Sequence, residues 1–96
     1  MNEKKQDIKG RTGAIAGQVS TILGYPVKDA TIVITGTSPT HRDIGALTNE
    51  EGEFLLDELL PGEYTVLVNA EGFGIKVKGA KVEAGKITRL EFFFDI

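Results

Sequence analysis

A single histidine, His41, stands beside Arg42 and Asp43, with Ser38 and Thr40 just upstream. Serine, histidine and aspartate are the residue types of nucleophilic catalysis, in which imidazole takes a hydroxyl proton and a carboxylate orients the ring. That chemistry needs three groups converging in a site that excludes water. Here all three fall on one polar loop, Gly36 to Asp43, and they read as solvated loop residues. Asn49, Glu50, Glu51 and Glu53 could offer calcium the oxygen ligands it needs. Their order does not match a helical calcium loop, and alternate residues of a strand point to opposite faces. They read as the solvated acids of a turn. One histidine and no cysteine leave a structural zinc site without ligands. The expectation is a chain that is no enzyme and holds no metal or cofactor.

The elements that carry these residues must fit into 96 residues, which is room for one domain. A chain this short buries about two-thirds of its unfolded surface, so its core is economical. The 41% hydrophobic and 26% charged composition suits that. Net charge is −3, whereas a nucleic-acid partner calls for a concentrated basic face. No apolar run approaches the ~20 residues of a membrane span, so no membrane insertion is expected. Residues 1–12 read as a disordered lead-in, too polar for a signal peptide, and residues 13–96 as the domain. Between Asp43 and Ile75 there are acids but no Lys or Arg, and Lys76, Lys78, Lys81, Lys86 and Arg89 follow. That reversal predicts neighbouring strands with complementary charges on their solvent faces.

Period-two alternation dominates throughout. Strands are expected at about 14–20, 30–35, 44–48, 53–57, 63–70, 75–83 and 87–96, with a bulge or bend at Gly79-Ala80. Turns fall at Gly24-Tyr25-Pro26, at Asn49 to Gly52, at Leu59 to Gly62, at Glu71 to Gly74 and at Ala84-Gly85. Each strand has one apolar face, as in Phe54 and Leu56, or Tyr64, Val66, Val68 and Ala70. Seven short strands, each with one wet face and with regularly spaced turns, predict an all-β, antiparallel, Greek-key β-sandwich.

The most specific stretch is TNEEGEFLLDELLPGEYTVLVNAEGF, residues 48–73. Gly52 can take a positive φ in its turn. Leu59 plugs the sandwich end and Pro61-Gly62 turns the chain. Tyr64 then buries its ring and returns its hydroxyl to the backbone, a tyrosine corner. With Gly17-Gln18-Val19 and Tyr25 to Ile32, this stretch resembles the carboxypeptidase regulatory-like domain family. That family has a prealbumin-like (transthyretin-like) sandwich related to Cna-B modules.

The resemblance implies a non-catalytic accessory module of a larger surface or secreted protein. Its implied partners are neighbouring domains or another protein, with a glycan as the alternative. Transthyretin-like hydrolases of 5-hydroxyisourate carry several histidines and a C-terminal Tyr-Arg-Gly-Ser, and this chain has neither. Cna-B relatives often crosslink a first-strand lysine to a last-strand asparagine. The first strand here contains no lysine, so an intact mass equal to the sequence value is expected. Phe93, Leu67 and Tyr25 fall outside the core pattern and are the candidate interaction residues. A monomer or weak oligomer is expected.

Overall fold

The computed structural model describes residues 11–36 and 44–95, and it is all strand. In chain order the strands are β1 (Gly13–Thr21), β2 (Thr31–Gly36), β3 (Ile44–Leu47), β4 (Glu53–Leu59), β5 (Gly62–Ala70), β6 (Gly74–Val82) and β7 (Ile87–Phe94). They form two sheets, β4-β1-β7 and β3-β2-β5-β6. Among the described residues no helix is long and apolar enough to cross a membrane. The expected lead-in at residues 1–12 falls mostly outside the described residues, as does the 37–43 loop with Ser38, His41 and Asp43.

The inward residues follow the alternation. Ile15, Val19, Ile32, Ile34, Val66, Val68 and Phe92 have no exposed surface, and Phe54, Leu56, Leu59 and Tyr64 are buried with them. Burying side chains of this size contributes about 1.5–3 kcal/mol each, which makes this interior the main source of stability. Gly17 is small because Phe54 needs the space: a Cβ there would collide with the phenyl ring. That ring packs on Phe92, with centroids 6.3 Å apart and planes tilted by 45°.

Three features depart from the expected pattern. The β1–β7 ladder is parallel, running in register from Ala14↔Ile87 to Thr21↔Phe94, while the other ladders are antiparallel. The register of β6 is continuous through Gly79 and Ala80, so no bulge lies there. Irregularity falls instead between β1 and β4, where Gly13↔Leu59 is followed by Ile15↔Leu56. Strand β4 uses one residue more than β1 across this step, and Glu58 absorbs it at φ 58°. Third, of the lysines of β6 only Lys81 stands opposite an acid of that stretch, Glu63, on the outer face. Lys76 and Lys78 share the inward face with Ala80 and Val82. Their ammonium groups lie 5.7 Å from the Phe94 ring centre and 5.4 Å from that of Phe92. The described salt bridge is Lys86–Glu83 at 3.4 Å, between neighbours in one turn.

Thr48 ties the 22–30 connection to the turn before β4. Its hydroxyl donates to the Val27 carbonyl at 2.7 Å and accepts the Ala30 N–H at 2.9 Å, in a buried position. Thr48→Val keeps the shape but strands both backbone groups, so it should cost about 1–3 kcal/mol. Urea unfolding should show a lower midpoint with an unchanged m-value; an unchanged midpoint would remove Thr48 from this role.

Candidate interaction surfaces

The corner residues come together where β4 passes to β5. Leu59 is buried, Pro61 is exposed, and Gly62 takes φ 152° with open space around its Cα. The Tyr64 ring is buried and its hydroxyl donates to the Leu60 carbonyl. Burial pushes the phenol above its ordinary 10.0, because the ionised form would lose its hydration. Gly52 lies at the opposite end of the sandwich, at φ 78°, where a Cβ would strike the Val19 carbonyl. The Gly52 carbonyl accepts the Val19 N–H at 2.7 Å, so this turn continues the pairing of β1 beyond the end of β4.

The 49–53 turn is held by the Asn49 side chain, and of its acid side chains Glu53 meets that amide. Asn49 Oδ1 accepts the N–H groups of Glu51 at 3.0 Å and Glu53 at 2.8 Å. Asn49 Nδ2 faces Glu53 Oε1 at 3.4 Å. Among the described residues no three His, Cys, Asp or Glu side chains are grouped to hold a metal ion.

The three candidate contact residues occupy two regions. Leu67 is half-buried on the outer face of the four-stranded sheet, in a row with Val33 and Val77. Tyr25 and Phe93 flank the end of β1. Phe93 is opposite Ser20, Pro26 bridges Ser20 from the other side, and Thr21 bonds Tyr25 while facing Phe94. Phe93 is half exposed at 48% and Tyr25 more so at 64%. A further surface lies across the outer face of the three-stranded sheet. There an open groove of about 570 Å³ is lined by Ala16, Gln18, Glu53, Leu55, Ile87 and Arg89, among others.

A sequence model of the carboxypeptidase regulatory-like domain matches residues 14–94. The chain belongs to that family. No curated protein matches it in sequence. Among solved structures it is similar to the Bacillus anthracis TIE protein, with a TM-score of 0.75 at 20% identity, over 88% of this chain and 16% of the other. A minor pilin of Streptococcus agalactiae gives 0.72 at 11% identity, over 88% and 44%. A proposed carbohydrate-binding protein of Pseudomonas aeruginosa gives 0.65 at 12%, over 95% of each chain. Chlorocatechol 1,2-dioxygenase of Pseudomonas putida shares the fold as well, at 0.71 and 10% identity, over 92% and 61%. The chain therefore spans less than two-thirds of the TIE protein, the pilin and the dioxygenase. At such identities the likenesses establish the fold alone.

Several surface features of this carboxypeptidase regulatory-like domain went unmarked by sequence reasoning. Ile22 and Leu23, between the first expected strand and the Gly24-Tyr25-Pro26 turn, are 59% and 69% exposed. Phe73, in the turn after β5, is 39% exposed with its ring 6.0 Å from that of Phe94. The available signal was two branched aliphatics directly before Gly24, a position that buries little.

Tyr64→Phe should lower stability by about 1 kcal/mol through loss of the corner hydrogen bond. It should also change the alkaline limb. With the folded phenol raised, the unfolded chain ionises first, so this contribution is intact below the ordinary tyrosine value and falls as pH rises past it. The stability difference between wild type and Tyr64→Phe, from urea unfolding at pH 8 to 11, should shrink above pH ~10. A difference independent of pH would contradict the assignment.

Proposed function

We propose that this domain is a non-catalytic interaction or spacing module of a larger surface or secreted protein, which it joins to a neighbouring domain or to another protein. The observation that carries this reading is the display of large apolar side chains outward on a rigid sandwich, most of all Ile22, Leu23, Tyr25, Phe73 and Phe93. Soluble domains expose scattered apolar residues freely, but three on one well-bonded turn, with Phe73 and Phe93 at the same end, support a contact surface. Family membership supports an accessory role, and the pilin likeness accords with a surface setting.

Glycan binding is the second reading, favoured by the three exposed aromatic rings of Tyr25, Phe73 and Phe93. Sugar recognition combines an aromatic face with nearby polar groups that fix orientation. The threonine beside Tyr25 is already engaged: Thr21 Oγ1 accepts the Tyr25 N–H at 3.2 Å, and Thr21 N–H donates to the Tyr25 carbonyl at 2.8 Å. That engagement favours a protein partner. Affinity electrophoresis through gels containing soluble β-glucan, xylan or mannan should show unretarded migration. Retardation by any of them, abolished in Tyr25→Ala, would replace the protein-binding reading with the glycan one.

A further inference from the structure

Resting on that reading, we infer that the docking site is the end of the sandwich that carries the 22–25 turn, and that its partner is a protein surface with an apolar centre and a basic rim. Five of the eleven large hydrophobics exposed among the described residues gather here: Ile22, Leu23, Tyr25, Phe73 and Phe93. Leu47 and Ile75 adjoin them, since the row Leu47–Thr31–Asn69–Ile75 is the last full row of the four-stranded sheet toward this end. Of the remaining four, Leu55 and Ile87 line the outer groove of the three-stranded sheet together with Leu47, and Leu60 and Val77 stand apart.

The turn is bonded to the sandwich on every side. Gly24 N–H donates to the Thr21 carbonyl at 2.9 Å and Thr21 N–H to the Tyr25 carbonyl at 2.8 Å. Ile22 N–H donates to the Phe94 carbonyl at 2.9 Å, and Ser20 bridges to Pro26. Its apolar side chains are therefore held outward by a preorganised backbone, which lowers the ordering entropy that binding must overcome. Ile22, Leu23 and Tyr25 are each more than half exposed, so they fit a partner that supplies the pocket.

Charge selects the partner. Asp29, Glu50, Glu51, Glu71 and Asp95 all stand exposed on the turns of this end, against Lys28 on the same turns. Lys76, exposed beside Phe94, adds a second positive charge, and the acids still outnumber the bases. This acidic rim repels an anionic bilayer and a second copy meeting end to end. It attracts a surface whose apolar pocket is edged by Lys or Arg, and such rim charges act mainly on specificity and association rate. The outer groove of the three-stranded sheet holds Glu53 and Glu91 beside Arg89, so it complements this end poorly as a self-docking site.

The test is a titration of the ¹⁵N-labelled chain, followed by amide shifts. Its probes are an amphipathic peptide of alternating leucine and lysine, the same peptide with glutamate for lysine, and vesicles of phosphatidylcholine with or without phosphatidylserine. The lysine peptide should shift amides of residues 20–26, 71–74 and 92–95. Its affinity should fall at least tenfold in Leu23→Asp and at least tenfold in 0.5 M salt, where the Debye length is about 4 Å. Leu23 is 69% exposed, so Leu23→Asp should keep the wild-type spectrum elsewhere. Val77→Asp, on the outer sheet face, serves as the control and should bind as wild type. Shifts confined to the Val33–Leu67–Val77 face would overturn the site but leave the module reading standing. Equal binding of both peptides, preferential vesicle binding, or no peptide shift would overturn the partner chemistry. Absence of peptide shifts together with retardation on polysaccharide gels would overturn the module reading as well.

Discussion

Strand β1 is the member of the three-stranded sheet with a neighbour on both sides, so that sheet exists only if β1 lies flat between β4 and β7. Two demands meet on it. Toward the interior it must leave room for the Phe54 ring, which Gly17 does, and the Phe54–Phe92 contact then spans from β4 to β7 beneath it. Along its edges it must satisfy backbone groups beyond the reach of β4. The Gly52 carbonyl and the Pro26–Val27 segment take over there, with Val27 N–H donating to the Val19 carbonyl at 3.0 Å. The same extension fixes the exposed turn, because the next residue along, Thr21, is where that turn is anchored. Core packing and surface display are thus consequences of one strand's position.

A sandwich of two sheets has open sides, and the side between β6 and β7 is closed in an unusual way. Lys78 Nζ donates to the Glu91 carbonyl, and Thr88 Oγ1 donates to the Lys81 carbonyl at 2.6 Å. The lysine stems cover Phe92 and Phe94 while their charged ends reach water and backbone oxygen. Each edge strand gives up a free carbonyl to a side chain of the other, which also discourages pairing with foreign strands.

The alternation of β1, β2, β4, β5 and β7 could be read from sequence because their apolar residues fall on a single face. Strand β6 could not, and the reason is physical. Its two faces read Ile75, Val77, Gly79, Lys81 and Lys76, Lys78, Ala80, Val82, so hydrophobicity changes sides half-way. A bulge is one solution to that pattern. The molecule uses the other, keeping phase and turning amphipathic lysines inward at the sandwich edge, which leaves Ile75 and Val77 exposed. The parallel β1–β7 ladder was hidden for a different reason: alternation specifies faces, and pairing direction between the chain's two extremes leaves no local mark. The corner motif was legible because Leu59, Pro61, Gly62 and Tyr64 are constrained by one turn. The apolar end was not, since its residues come from four separate segments.

The size of that end bears on how such a contact works. Stable free complexes bury about 800 Å² and roughly 20–30 residues per partner, and the proposed site rests on five large apolar residues. A contact of this size suits a partner held nearby, on the same polypeptide or the same assembly, where a short linker supplies an effective concentration of about millimolar. Rigid turns then matter more than area. Because Thr21, Phe94 and Pro26 already fix the 22–25 backbone, ordering that loop on binding costs little, and less of the contact's free energy is lost to it. On the proposed reading, a stiff scaffold with a small, acid-rimmed tip would engage reversibly with a tethered neighbour, which is the physical sense in which a spacer can also be a binding module.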